Sequence, residues 1–371
     1  MANIFDYLKW REDLTFTQNE LNEVDSLILV NLVYAHFDNI VPTDFNKTIR
    51  IQDACNRFLA LPADKQVVRG KEDIDLVKAI KDTPRFKDVL CSGYREIYDA
   101  HREIQFCAMT YEIDNHTRFV AYRGNDHFVE GWKEDLNLSF KIVPAQRLAL
   151  TYLKDTIKEL RWRQKIVIGG HSKGGNLAMY AAANLDNNEF KKITHISNFD
   201  GPGFDFKQID KGVFNKLLPV LTTYTPTMSF VGNLMDHIGA FTYIESSQNS
   251  FMQHDPYTWQ VLGKSFVYAK GPDETSKLIK KTIDTWLTTI TYDERQKVID
   301  SIYELVQASG ARELQDILPS MIKNFKNVQT VYSQLDPATI DIINDSLSDF
   351  GSIFSSSMIA KLSQLLKKSK K

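Results

Sequence analysis

The spacing of apolar residues changes twice along the chain and divides it into three regions. Up to about residue 85, apolar residues recur at helical intervals, as in NEVDSLILVNLVYAHF. From about 86 to 270, short apolar runs alternate with longer amphipathic segments, and from about 271 onwards helical spacing returns, as in DERQKVIDSIYELVQASG. We therefore predict an N-terminal helical region over 1–85 packed on the core, an α/β core over 86–270 and a C-terminal helical region over 271–371.

Strands and helices alternate within the predicted core. IQFCAMTYEI and TRFVAYRG are typical of a hairpin around the turn residues Asp114 and Asn115. AQRLALTYLKDTIKELRWR is amphipathic and begins just after Pro144, which favours a helix N-terminus there. Further strands are predicted at KIVIGG, ITHISNF, LTTYTP and FTYIESS. This order predicts a mostly parallel central sheet flanked by helices.

The stretch IVIGGHSKGGNLAMYAAANL places a lone serine where a predicted strand meets a predicted helix. Gly170 to Gly174 match G-x-S-x-G with Ser172 at the centre, and this strand–turn–helix context makes the motif informative. Glycines two residues away remove the clashes that a sharp turn would otherwise create. The turn would lift the hydroxyl above the sheet edge and direct the backbone N–H of Lys173 towards a developing oxyanion. We predict that Ser172 is a nucleophile.

These motifs resemble those of the α/β-hydrolase superfamily, and within it the class 3 (fungal triacylglycerol) lipases. GGHSKGGNLA is similar to GHSLGGALA of that branch, with Lys173 in place of leucine, and AYRGNDHFVEGWKEDLNLSF is similar to its FRGT/S…W…DL segment. The resemblance covers roughly 105 to 260. With FDYLKWREDLTF, NFDGPGF and QHDPYTW included, the chain more specifically resembles a bacterial family of lipase-like hydrolases of unknown function. The resemblance implies an α/β-hydrolase fold with helical N- and C-terminal additions.

The oxyanion site is predicted at two backbone positions. The resemblance implies that Asn125, which follows the glycine of the Arg123–Gly124 turn, supplies the second donor beside Lys173. Arg123 is expected to make structural hydrogen bonds to loop carbonyls or a carboxylate. The side chain of Lys173 has two open interpretations, contact with an anionic substrate group or simple solvation.

A serine nucleophile needs a base, and in this fold the base follows it in the chain. Three histidines follow Ser172. His195 lies inside a predicted strand, where packing is its expected role, and His237 has a surface or capping role as its default. His254 lies in a polar loop after the last predicted strand, which is also its position in the lipase branch. We predict His254 as the base.

The acid that orients the histidine has two candidates. The segment VGNLMDHIG resembles the D-x-V-P segment that carries the acid in class 3 lipases, with Asp236 at the matching position and Gly239 in place of proline. Asp236 also lies between Ser172 and His254, as the chain order requires. Asp200, at the end of ITHISNFD, is the rival and is expected instead to shape the turn that follows. We predict Asp236.

Composition excludes several other classes of protein. Of 371 residues, 45 are Lys or Arg and 47 are Asp or Glu, so the net charge of −2 does not favour a nucleic-acid partner. The chain has no phosphate-binding glycine loop and no HxxxH or HExxH pattern, so we predict neither a cofactor nor a metal. Three widely spaced cysteines and a first segment without signal-peptide character favour the cytoplasm.

Two functions fit this pattern. The first is a serine hydrolase, an esterase or lipase, that cleaves a small-molecule or lipid carboxylic ester through an acyl-enzyme intermediate. The second is a non-catalytic α/β-hydrolase-fold protein that binds a ligand or protein partner, for which the departures at Lys173 and Gly239 leave room.

The end of the chain has two interpretations of its own. SSSMIAKLSQLLKKSKK places its apolar residues near one helical face and its lysines at the end. This face is expected to pack on the preceding helices, and the alternative is contact with an anionic membrane surface.

Overall fold

A computed structural model describes residues 1–99, 102, 104–125, 137–138, 141–207, 209–311 and 317–351. Its centre is an eight-stranded sheet whose strands lie side by side in chain order. The strands are β1 Ile49–Arg50, β2 Leu90–Asp99, β3 Ile104–Glu112, β4 Thr117–Tyr122, β5 Lys165–His171, β6 Ile193–Phe199, β7 Leu221–Pro226 and β8 Phe241–Ile244. The pairings from β1 to β4 are antiparallel, and those from β4 to β8 are parallel.

Helices cover both faces of this sheet because its strands send apolar side chains to both sides. Phe119 and Ala121 of β4 pack beneath the N-terminal helices, and Val120 and Tyr122 pack on the opposite face. The N-terminal helices are α1 Ile4–Arg11, α2 Glu23–Leu32, α3 Ile51–Leu59 and α4 Lys71–Ile80. The helices that follow β4 are α5 Pro144–Lys158, α6 Lys173–Ala183, α7 Asn187–Phe190 and α8 Lys211–Phe214.

The predicted core elements are confirmed. The hairpin is the antiparallel pair β3–β4, and the helix that was expected just after Pro144 is α5, which begins at Pro144 itself. A sheet with a parallel half, covered by helices on both faces, confirms the α/β-hydrolase fold. β1 and β2 have no counterpart among the strands predicted from the sequence. The segment LCSGYREIYD of β2 mixes charged, small and apolar residues and bulges between Ser92 and Arg95, which obscures the strand period.

Helix α2 lies at the centre of the N-terminal layer and is buried all round. Its one buried charge, Asp25, accepts hydrogen bonds from Nε of Arg85 at 2.7 Å and from the hydroxyl of Tyr7 at 2.7 Å. Both side chains of this ion pair are fully buried. These contacts fix α1, α2 and the segment before β2 to one another.

Further helices follow a short β-hairpin formed by β9 Val261–Leu262 and β10 Ser265–Phe266. They are α9 Glu274–Thr289, α10 Tyr292–Ser309, α11 Ile317–Lys323, α12 Phe325–Gln334 and α13 Pro337–Gly351. Arg295 of α10 pairs with Asp205 at 3.4 Å and fixes these helices to the loop after β6. No helix in the described ranges is long and apolar enough to cross a bilayer. The predicted amphipathic end of the chain lies outside the described residues, so its packing on the preceding helices stays a prediction and membrane contact stays the alternative.

Candidate active site

Ser172 occupies a strained turn between β5 and α6. Its φ is +57° and its ψ is −131°, a combination that a non-glycine residue rarely adopts. The flanking glycines permit the turn, since a Cβ on Gly170 would lie 2.1 Å from the backbone of Gly174, and one on Gly174 would lie 2.1 Å from the carbonyl oxygen of Tyr122. The serine is half-buried at the head of α6, where free N–H groups and the positive end of the helix dipole converge.

The turn after β4 lies directly beside Ser172. A Cβ on Gly124 would lie 3.2 Å from Cβ of Ser172 and 2.6 Å from the carbonyl oxygen of His171. Only glycine therefore allows the turn to approach the serine this closely. The predicted oxyanion donors belong to two different elements, since Asn125 follows Gly124 in the turn after β4 and Lys173 follows Ser172 at the start of α6.

His254 ends a short 3-10 helix, Ser250–His254, in the loop after β8. Its Nδ1 donates a hydrogen bond to Oδ2 of Asp200 at 2.7 Å. The carboxylate is completely buried, and the imidazole retains 25% of its exposure. Because Nδ1 carries the proton in this contact, Nε2 is the basic nitrogen of the neutral ring.

The partner of His254 differs from the sequence prediction. Asp236 is exposed, and its backbone forms a two-way bridge with Phe204, with the Phe204 N–H donating to the Asp236 carbonyl oxygen at 2.8 Å. The predicted rival, Asp200, makes the contact with His254 instead. Asp200 follows the last residue of β6 with φ +53°, so the chain turns sharply at the strand end. This turn directs the carboxylate towards the loop after β8 that carries His254, called the histidine loop below.

Asp200 is held on its other side by Ser229, which the sequence analysis did not single out. The Ser229 hydroxyl donates to Oδ1 of Asp200 at 2.7 Å and accepts the N–H of Gly232 at 2.9 Å. The sequence around Ser229, TPTMSFVG, has no motif that indicates a contact with Asp200, because the two residues lie far apart in sequence. Ser229 thus fixes the carboxylate for its contact with His254.

The histidine loop is also anchored by Gln253. Its side-chain oxygen accepts the N–H of Met228 at 2.9 Å, its side-chain amide donates to the carbonyl of Gln248 at 2.9 Å, and its own carbonyl accepts from Nε1 of Trp259 at 2.8 Å. The neighbour of His254 is therefore bound at three points, which limits the motion of the imidazole.

The side chain of Lys173 follows neither of its two predicted interpretations. It is 1% exposed, and its Nζ donates to the carbonyl oxygen of Gln105 in β3 at 2.9 Å. This side chain fixes the start of α6 to the sheet. Arg123 behaves as predicted, since its guanidinium pairs with the carboxylate of Glu96.

Two further histidines have packing roles. His195 lies within β6, as predicted, and burial lowers its pKa. His237 is half-buried, its ring packs on Phe241 with centroids 4.7 Å apart, and burial lowers its pKa to about 4.

Within the described part of the chain, His36, Asp38 and Glu96 place three ligand-type atoms within 4.8 Å of one another. Glu96 also pairs with the guanidinium of Arg123. Burial opposes ionisation of Glu96, but the hydrogen bond from His36 and the charge of Arg123 outweigh it and hold the pKa of Glu96 well below its usual range. Because an arginine already neutralises this carboxylate, the group has the chemistry of an ion-pair cluster.

The sheet and the sharp turn at Ser172 between β5 and α6 define a lipase-like α/β-hydrolase. The chain belongs to the Mbeg1-like family, a lipase-like family whose model matches residues 80–304. Among solved structures it is similar to the crystal structure of M37 lipase, with a TM-score of 0.34 and 13% identity over 74% of this chain and 93% of that one. No curated protein matches the chain.

Acid should weaken this fold through His171, the residue before Ser172. Burial, followed by the charges of His254 and Arg69, holds the pKa of His171 well below its ordinary value. Its neutral form therefore contributes stability that is fully present above about pH 6.5 and is lost as the pH falls towards the folded-state pKa. Between pH 7.5 and 5.5 the unfolding free energy of the wild type, measured in urea, should therefore fall further than that of His171→Phe.

The exposed His116 provides the matched control for this comparison. His116→Phe should follow the wild type across the same pH range. Equal pH dependence of the wild type and His171→Phe would contradict a neutral, buried His171.

Proposed function

We propose that this protein is a serine hydrolase, an esterase or lipase, that cleaves a carboxylic ester through an acyl-enzyme. The observation that carries the proposal is the 2.7 Å contact from Nδ1 of His254 to the buried carboxylate of Asp200. A histidine oriented in this way, in a fold that also presents a serine on a strained strand-to-helix turn, is the arrangement that activates a hydroxyl.

The proposed reaction begins with attack of Oγ of Ser172 on the ester carbonyl, as Nε2 of His254 takes the hydroxyl proton. The carbonyl oxygen becomes an oxyanion that the backbone N–H groups of Asn125 and Lys173 stabilise. When this intermediate collapses, the C–O bond breaks and His254 returns the proton to the departing alcohol. Water, deprotonated by His254, then attacks the acyl-enzyme and releases the carboxylic acid and the free serine.

Asp200 contributes by fixing the tautomer and stabilising the charge of the imidazolium that forms on His254. It accepts one hydrogen bond from the histidine and one from Ser229, so the carboxylate is oriented before the reaction begins. A preoriented acceptor needs no reorganisation when positive charge develops on the ring.

The non-catalytic alternative has less support than it had from the sequence. Its main ground was a lysine directly after the nucleophile, and that side chain turns away into the sheet to donate to the carbonyl oxygen of Gln105. The other departure, Gly239, has φ +76° and belongs to the segment of the exposed Asp236. Neither departure bears on the contact between His254 and Asp200.

We also propose that the protein works in a reducing compartment such as the cytoplasm. Cys55, Cys91 and Cys107 are all buried, and none of the three forms a disulfide. Burial raises the pKa of Cys55 to about 12, so this thiol stays protonated and behaves as a small apolar side chain.

A fluorophosphonate probe tests the proposed activity directly. The probe reacts with an activated serine hydroxyl, so it should label the wild type at Ser172 and should leave Ser172→Ala unlabelled. Labelling is followed by intact mass and by peptide mapping. An unlabelled wild type that also fails to hydrolyse short-chain p-nitrophenyl esters would exclude a serine hydrolase.

A second test separates the two acids. Asp200→Asn should lower kcat for a p-nitrophenyl ester by roughly 10⁴-fold with little change in KM, because the acid acts on His254 during the reaction and not on substrate binding. Asp236→Asn is the matched control and should retain wild-type kcat, because Asp236 is exposed. If both variants fold, a large loss of kcat in Asp236→Asn together with wild-type kcat in Asp200→Asn would assign the acid to Asp236.

A further inference from the structure

A buried tyrosine of the N-terminal layer contacts two parts of the candidate active site at once. Tyr34 follows the end of α2 and is 1% exposed. Its hydroxyl oxygen accepts the backbone N–H of Gly124 at 3.0 Å and lies 3.4 Å from Nδ1 of His171. Gly124 precedes the proposed oxyanion donor Asn125, and His171 precedes Ser172.

The direction of each hydrogen bond follows from what the partners can donate. Nε2 of His171 lies 2.8 Å from the carbonyl oxygen of His254, and a carbonyl only accepts, so Nε2 carries the proton. The buried ring is neutral, which leaves Nδ1 as an acceptor for the hydroxyl proton of Tyr34. The chain therefore runs from the Gly124 N–H to Tyr34, from Tyr34 to His171, and from His171 to His254, each group donating to the next.

His171 also touches the side chain of His254. The two imidazole rings are 4.6 Å apart between centroids and are inclined at 32°. His171 thus supports the proposed base at two points, the backbone carbonyl of His254 and the imidazole ring of His254. A displacement of His171 would be transmitted to the nitrogen that is expected to accept the serine proton.

Tyr34 is itself fixed by a buried cation. The guanidinium of Arg69 lies 3.3 Å from the centroid of the Tyr34 ring and donates to Oδ1 of Asp73 at 2.7 Å. The same carboxylate oxygen accepts the hydroxyl of Tyr257 at 2.7 Å, and Tyr257 belongs to the 3-10 turn that follows His254. The N-terminal layer therefore holds the turn at Gly124 and Asn125, called the oxyanion turn here, through Tyr34. It holds the histidine loop through Asp73.

We infer that Tyr34 is a positioning residue of the proposed hydrolase, whose hydroxyl holds the oxyanion turn and, through His171, the backbone of His254 in register with Ser172. The inference rests on the proposed function. The effect of Tyr34 passes through the backbone of Gly124 and the ring of His171.

The test removes the hydroxyl alone. Tyr34→Phe should lower kcat for a p-nitrophenyl ester by roughly 10- to 100-fold and leave KM nearly unchanged, since a misplacement of about 1 Å at the reacting groups has an effect of this size. Tyr111→Phe is the matched control. The Tyr111 hydroxyl is also buried and also bonds a backbone group, the carbonyl oxygen of Leu29 in α2, but it belongs to no part of this chain of contacts. It should retain wild-type kcat.

A second variant interrupts the other end of the chain. His171→Phe keeps a planar ring and removes both nitrogens, and it should show the same kcat loss as Tyr34→Phe. Because both act through one series of hydrogen bonds, the double variant should lose no more than the worse single variant. Additive losses, or a Tyr34→Phe enzyme as active as Tyr111→Phe, would overturn the inference.

Two outcomes distinguish this inference from the function on which it rests. A wild type that neither hydrolyses esters nor labels at Ser172 would refute the proposed function. The hydrogen-bond chain would then still be tested by amide exchange in the intact protein, where the Gly124 N–H should be protected as strongly as the amides of β4. Rapid exchange at Gly124 would refute the contact with Tyr34 whatever the activity, and it also decides the case if neither variant folds.

Discussion

The close backbone packing at the turn from β5 to α6 is the constraint on which the site depends. A Cβ on Gly170 would lie 2.1 Å from the backbone of Gly174, and a Cβ on Gly174 would lie 2.1 Å from the carbonyl oxygen of Tyr122. This packing stores strain at Ser172, which the surrounding layers of helix and sheet must hold in place. Once α6 is fixed there, its first N–H groups and the turn at Gly124 converge on one point beside the serine.

The other site residues reach this point through buried hydrogen bonds, not through their own secondary structure. Asp200 is fully buried between Ser229 and His254, and Tyr34 joins the turn at Gly124 to His171. Buried polar groups of this kind are costly unless each finds its partner, so they define one arrangement of the loops. The N-terminal layer thus takes part in positioning the site as well as covering the sheet.

The sequence predicts the parts of the site that local patterns encode. The elbow has a motif within one strand–turn–helix unit, and His254 follows from chain order and the loop after the last strand. The carboxylate partner of His254 was predicted wrongly because a match of short segments favoured Asp236, whereas the carboxylate that reaches His254 depends on the sharp turn at Asp200. Tyr34, Ser229 and the buried direction of the Lys173 side chain arise from contacts between distant segments, which no local spacing reveals.

The central claim, that Ser172 faces an oxyanion site and the base His254, is tested most directly by a crystal structure of the protein inactivated with a phosphonate ester. The account predicts a covalent bond from phosphorus to Oγ of Ser172, with the phosphonyl oxygen about 2.7–3.1 Å from the backbone nitrogens of Asn125 and Lys173. Nε2 of His254 should face the departing group. A phosphonyl oxygen that points away from both nitrogens, or an adduct on another residue, would contradict it.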